Sequence, residues 1–213
     1  MNAVDENLDV AGLAEFLAAD YARLRLYMGV SAFNVMCRHC LAAYSAKAPR
    51  ARALSHHLPS FLGLTKPFSR SPELADLARL EKAFQAALNA PEAPVLTQAE
   101  FACKNPRDFF LALHPSVQRL QLATHAASIW AALTAGELPP PPEKLEGCQE
   151  LLVWRQGVAS RFRMLGAEEA MAFDEAARGE LLAVDQLSEY FLRGWLEAEV
   201  VSDVRDMKDE GEK

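Results

Sequence analysis

The apolar residues of this 213-residue chain change period once, near His114. Upstream they recur at three- and four-residue steps between proline-marked turns, as on amphipathic helices packed against one another. Downstream, short stretches alternate apolar with polar residues, as half-buried strands do, before helical spacing returns. A single switch of this kind points to an α+β fold, mostly helical: an all-α N-terminal domain, then a winged-helix-like domain with a small antiparallel sheet. The expected boundaries are 1–112 for the helical domain, 113–202 for the winged-helix-like domain and 203–213 for a charge-dense, disordered acidic tail.

Within the first half, the spacing predicts a helix over 12–19 with Leu13, Phe16 and Leu17 on one face, a turn over 21–29, and a helix capped by Ser31. Leu54, Leu58, Phe61 and Leu62 form another apolar stripe, which Pro59 is expected to break because it has no N–H for the preceding turn. The clearest helix starts at Ser71-Pro72, with serine as cap and proline in the first turn, and buries Leu77, Leu80, Phe84, Ala87 and Leu88. Thr97 and Glu100 make a capping box, and Asn105-Pro106 is expected to open a short helix ending near Leu113.

In the second half, residues 117–122 alternate as a strand, Thr124 is expected to cap a helix that stops at Gly136, and Pro139 to Pro142 form a stiff polyproline spacer. Residues 150–155 and 158–165 read as a β-hairpin about Gln156-Gly157, where glycine supplies the positive φ of a tight turn. Helices are expected over 167–177 and from Leu181 to about Val200, the second burying Val184, Leu187, Phe191 and Trp195.

Charge and composition narrow the function. Twenty-nine acidic against 22 basic residues give a net charge of −7, a field that repels nucleic acid and anionic membranes on average. The N-terminus is acidic and carries no signal-peptide pattern, and no stretch reaches the roughly 18 to 20 apolar residues of a bilayer span. A cytoplasmic protein with reduced cysteines is expected, with no membrane partner. Cys37-Arg38-His39-Cys40 resembles a metal or redox motif, but Cys37 and Cys40 share the stripe of Phe33, Met36, Leu41 and Tyr44, so core packing is the favoured reading. The five histidines, at 39, 56, 57, 114 and 125, fall in no metal-ligand or nucleophile–base pattern. No catalytic residue, metal site or cofactor is expected in the chain itself.

Three segments carry a likeness to known proteins: Leu-Ala-Asp-Leu-Ala-Arg-Leu-Glu-Lys-Ala at 74–83, Leu-His-Pro-Ser-Val at 113–117 and Leu-Leu-Val-Trp-Arg-Gln-Gly at 151–157. Their order and spacing resemble the HvfC/BufC-type family, whose members carry a DNA-binding-domain label, and more distantly the MbnC-like proteins of methanobactin biosynthesis. The resemblance covers most of the chain, which is expected to lack a leading helical segment found in longer members. It implies a non-catalytic partner subunit that binds the leader of a ribosomal precursor peptide and a multinuclear non-haem iron oxidase during peptide modification, methanobactin-like or related. Iron is then expected only in the partner enzyme.

Two binding modes fit the second domain. In the peptide-recognition mode, the strand at 160–164 is an exposed edge: Arg161 and Arg163 meet acidic leader residues, while Phe162, Leu187 and Phe191 receive apolar ones. A charged flank at Asp76, Arg79 and Glu81 is the candidate partner-binding cluster, with a solvated, salt-bridged helix flank as the plainer alternative. In the DNA-binding alternative, a transcriptional regulator would use the hairpin as a wing. The following helix opens with Glu168-Glu169 and contains Asp174 and Glu175, which phosphates would repel, so nucleic acid is disfavoured.

Overall fold

A computed structural model describes residues 9–44, 51–103, 110–177, 182–183, 195–196 and 201–203. The fold is α+β and mostly helical. Helices α1 (Val10–Asp20), α2 (Ala22–Met28), α3 (Val30–Tyr44), α4 (Ala51–Leu64) and α5 (Pro72–Leu88) come first. They are followed by α6 (Gln98–Ala102), β1 (Phe110–Leu113), β2 (Gln118–Thr124), α7 (Ala126–Ala135), β3 (Lys144–Gln156), β4 (Ala159–Met164), α8 (Ala167–Ala177), β5 (Leu182–Ala183) and β6 (Val201–Asp203). Among the described residues the strands form two three-stranded sheets, ordered β5-β1-β6 and β2-β3-β4. The chain divides into two compact units, Met1–Ala83 with Gln121–Gln149 and Phe84–Leu120 with Glu150–Lys213. Both are discontinuous, whereas the apolar period suggests one cut after residue 112.

In the first unit, Leu13, Leu17, Leu24, Phe33, Met36, Leu54, Leu58, Leu62, Leu77 and Leu80 are fully buried. Each such side chain contributes roughly 1.5–3 kcal/mol of transfer free energy. Cys37 and Cys40 lie in the same core, and burial pushes their thiols up to about 12 and about 11, so both stay protonated and pack as small apolar groups.

Two helices depart from expectation for identifiable reasons. Residues 22–28 are helical rather than a turn, ended by Gly29 at φ 76°, a conformation glycine adopts without strain. Helix α4 runs through Pro59 without a break. Proline at 59 cannot donate to the carbonyl of Ser55 four residues earlier, and that carbonyl instead accepts the Tyr21 hydroxyl at 2.6 Å. The acceptor left over by proline is thus satisfied from another helix. Burial, the largest influence, raises the Tyr21 phenol to about 12, so it remains a donor at any ordinary pH.

In the second unit, Leu151, Leu152, Val153 and Trp154 are all buried, so β3 is covered on both faces along this stretch. Leu152 and Trp154 join Leu96, Leu165, Phe173, Trp195 and Val201 in one cluster, with Phe173 edge-on to Trp195 at 6.1 Å. Strand β4 pairs antiparallel with β3 from Leu151↔Met164 to Gln156↔Ala159, leaving Gly157-Val158 as a two-residue turn with Gly157 at φ 59°. The expected helix ending near Leu113 is replaced there by β1, which lies between β5 and β6. β5 likewise takes residues 182–183 out of the expected last helix, Asp203 closes β6 rather than opening a tail, and residues 204–213 lie outside the described ones.

Replacing Tyr21 with phenylalanine keeps the ring but leaves the Ser55 carbonyl without its donor, and should cost about 1–3 kcal/mol of unfolding free energy. Urea denaturation of the Tyr21→Phe variant checks this; an unchanged midpoint would mean that the carbonyl is satisfied another way.

Candidate functional site

The residues expected to form a partner-facing cluster do not share a surface. From Glu73 to Ala83 along α5, Arg79 is the one exposed residue and Lys82 is half-buried. Asp76 is buried; one oxygen accepts from Ala123 N at 2.8 Å and from Thr124 Oγ1 at 2.9 Å, and the other accepts from Arg79 at 2.8 Å. Thr124 is therefore committed to Asp76, and the N-cap of α7 is His125, without a side-chain capping bond. Glu81 is buried as well, and its carboxylate accepts from Arg23 N at 2.8 Å and Leu24 N at 3.0 Å, two first-turn amides of α2. It acts as a cap supplied from another helix, which explains why residues 22–28 are helical. Asp76 and Glu81 are inward clamps within the first unit, and the expectation that they bind a partner is corrected accordingly.

Residues 113–117 and 151–157 hold similar clamps in the second unit. His114 and Ser116 are buried, with His114 Nδ1 2.8 Å from Ser116 Oγ and accepting from Ser116 N at 3.2 Å, while Ser116 Oγ accepts from Arg155 N at 3.2 Å. Burial, reinforced by Arg155, lowers the His114 pKa and keeps the ring neutral. The Arg155 guanidinium donates to the carbonyls of Leu88 at 3.2 Å and Ala90 at 3.0 Å and pairs with Glu92 at 2.8 Å, a cation at the carboxyl end of α5.

Strand β4 is outermost in the order β2-β3-β4 among the described residues. Its hydrogen-bonding phase follows from the register. Leu165 N donates to Glu150 O, and antiparallel pairs alternate, so Arg161 and Arg163 direct their backbone groups toward β3. Ser160, Phe162 and Met164 direct theirs away from it. The side chains divide differently. Ser160 Oγ donates to Phe84 O at 2.9 Å, and the Phe162 ring lies 5.8 Å from that of Phe84. Arg161 is exposed, its side chain making no hydrogen bond or ion pair with the described residues. Met164 and, on α8, Met171 are exposed apolar side chains.

Arg163 is not available in the same way. Its guanidinium makes a two-pronged contact with buried Glu169, one prong at 2.7 Å, and Glu169 also accepts from Trp195 Nε1 at 2.8 Å. Burial works against that carboxylate, yet Arg163 and the indole hold its pKa below the ordinary value. The sequence shows nothing local that would reveal this arrangement, since Arg163 lies on β4, Glu169 on α8, and Trp195 is 26 residues beyond Glu169. Leu187 and Phe191, the expected apolar receivers, lie outside the described residues.

Among the described residues, no group of three or more His, Cys, Asp or Glu side chains is arranged to hold a metal ion, and no helix is long and apolar enough to cross a membrane. No protein-family model and no curated protein matches this chain.

Glu81 gives the clamps a pH signature. Burial, the dominant influence, pushes its carboxyl up to about 7, while the two backbone donors and Arg23 pull it down. The folded pKa exceeds the unfolded one, so the folded state holds the proton more tightly. The stabilisation is complete below the unfolded pKa and is lost as pH rises through about 7. The unfolding free energy of the wild type minus that of Glu81→Gln should fall by about 2 kcal/mol between pH 5 and pH 8. Denaturant titrations at both values test this, and a difference that rises with pH would show the carboxyl to be stabilised as the anion.

Proposed function

We propose that this chain is a non-catalytic recognition subunit that captures an extended peptide, the leader of a ribosomal precursor, and serves a multinuclear non-haem iron oxidase that modifies it. The observation that carries this reading is the β4 edge, outermost in its sheet among the described residues, with the backbone amides of Ser160 and Met164 turned outward and Arg161 exposed beside them. An extended peptide adds to such an edge through main-chain hydrogen bonds and is selected by alternate side chains. Arg161 would meet an acidic residue of the leader, and the exposed methionines 164 and 171 would accept apolar ones, since thioether side chains adapt to varied partners. The likeness of segments 74–83, 113–117 and 151–157 to the HvfC/BufC-type family supports the oxidase as the second partner, with iron held there.

Arg163 takes the structural role in this scheme. It balances buried Glu169, so reversing its charge would place two carboxylates against each other and damage the domain. Arg161→Glu is the informative substitution. It should leave the unfolding midpoint unchanged, because a lone exposed charge contributes little to stability, and should weaken leader binding about tenfold through lost complementarity. Fluorescence anisotropy with a labelled extended peptide that carries acidic and apolar residues, alongside a random duplex, provides the measurement. Preference for the duplex with a steep salt dependence would instead favour a DNA-binding regulator.

A further inference from the structure

The polyproline segment has no part in the β4 site, and its presentation suggests a separate use. Residues 138–144 read Leu-Pro-Pro-Pro-Pro-Glu-Lys. Proline fixes φ, and each residue before a proline is driven out of the helical region, so Pro139 to Pro141 are confined to a polyproline II path by covalent geometry, with Leu138 held extended before them and the φ of Pro142 fixed after them. Both ends are fastened within the first unit. Helix α7 stops at Gly136 in the left-handed conformation, and Glu137 N donates to Ala132 O at 2.9 Å. At the far end His125 N donates to Glu143 O at 3.3 Å, and the His125 ring lies 3.8 Å from the Glu143 carboxylate. The segment between is turned outward: Leu138 is 93% exposed, and Pro140, Pro141, Pro142 and Lys144 are exposed, with Pro139 half-buried.

We propose that Leu138–Lys144 is a docking ligand for a partner protein with an aromatic-walled groove that accepts a polyproline II helix and an acidic rim that receives Lys144. Grooves of this kind take two apolar–proline pairs separated by one residue, and a polyproline II helix with three residues per turn sets such pairs on one side. Leu138-Pro139 and Pro141-Pro142 are two pairs at that spacing, with Pro140 between them. Lys144 follows the second pair by two residues, in place for a carboxylate on the groove's rim. A short spacer needs only to bridge α7 and β3, and burying an exposed leucine would serve it better. Because the conformation is set before binding, little ordering entropy opposes docking. The partner recognised here is distinct from the peptide taken at β4, where this chain supplies the receptor.

The test titrates the isotopically labelled Src-homology 3 domain of a class that binds apolar-Pro-x-apolar-Pro-x-basic ligands with the unlabelled full chain, following its groove resonances by NMR. Saturable shifts confined to the groove aromatics are expected. The doubly substituted Pro141→Ala, Pro142→Ala chain should bind at least about tenfold more weakly, and Lys144→Glu should weaken binding most at low salt. Circular dichroism verifies that these exposed substitutions leave the fold intact, and the free peptide of residues 138–144 serves as a reference. Binding by the free peptide but not by the chain would mean that the fold withholds the segment and would overturn the proposal. So would equal binding by wild type and the double-proline variant.

Discussion

Helix α5 is buried around most of its circumference from Glu73 to Ala83, yet it carries carboxylates there that cannot be left without partners. The first unit is organised by how two of them are satisfied. Asp76 takes the amide and hydroxyl at the end of β2, and Glu81 takes the first-turn amides of α2. Each sets carboxyl oxygens against two buried donors that would otherwise be orphaned, so removing either acid exposes two deficits at once. The Tyr21 hydroxyl belongs to the same scheme: it answers the acceptor that Pro59 abandons, one residue before the helix that Glu81 caps.

The second unit applies this logic with opposite signs. Arg155 brings a cation to the carboxyl end of α5, the buried His114–Ser116 pair receives the Arg155 amide, and Arg163 balances Glu169 beneath Trp195. Segments 74–83, 113–117 and 151–157 thus each supply a point of polar closure within a unit. Their side chains are consumed by the fold, and surface chemistry falls to less distinctive neighbours such as Arg161.

Helices α1, α3, α5 and α6, the hairpin and α8 were legible because their signals are local: apolar period, the Thr97–Glu100 capping box, and a glycine where the turn needs positive φ. What escaped depends on partners distant in sequence. Glu81 reaches amides 57 and 58 residues away, Asp76 one 47 away, and Tyr21 a carbonyl 34 away. A carboxylate at the margin of an apolar stripe looks the same in sequence whether it faces water or caps another helix, so α2 and the unbroken α4 could not be read. Arg163 was indistinguishable from Arg161 by spacing alone. The strand that carries both arginines could be read from its alternation, whereas the exposure of Arg161 and the engagement of Arg163 with Glu169 could not.

The register of β3 and β4 makes the central claim directly measurable. Amide hydrogen exchange of the chain, read residue by residue by NMR with and without a saturating leader peptide, separates the two sides of the strand. Arg161 and Arg163 amides, already bonded to β3, should change little, whereas Ser160 and Met164 amides should gain protection as the peptide adds a strand. Peptide binding with unchanged exchange at Ser160 and Met164 would contradict edge capture and place the recognition surface elsewhere on the chain.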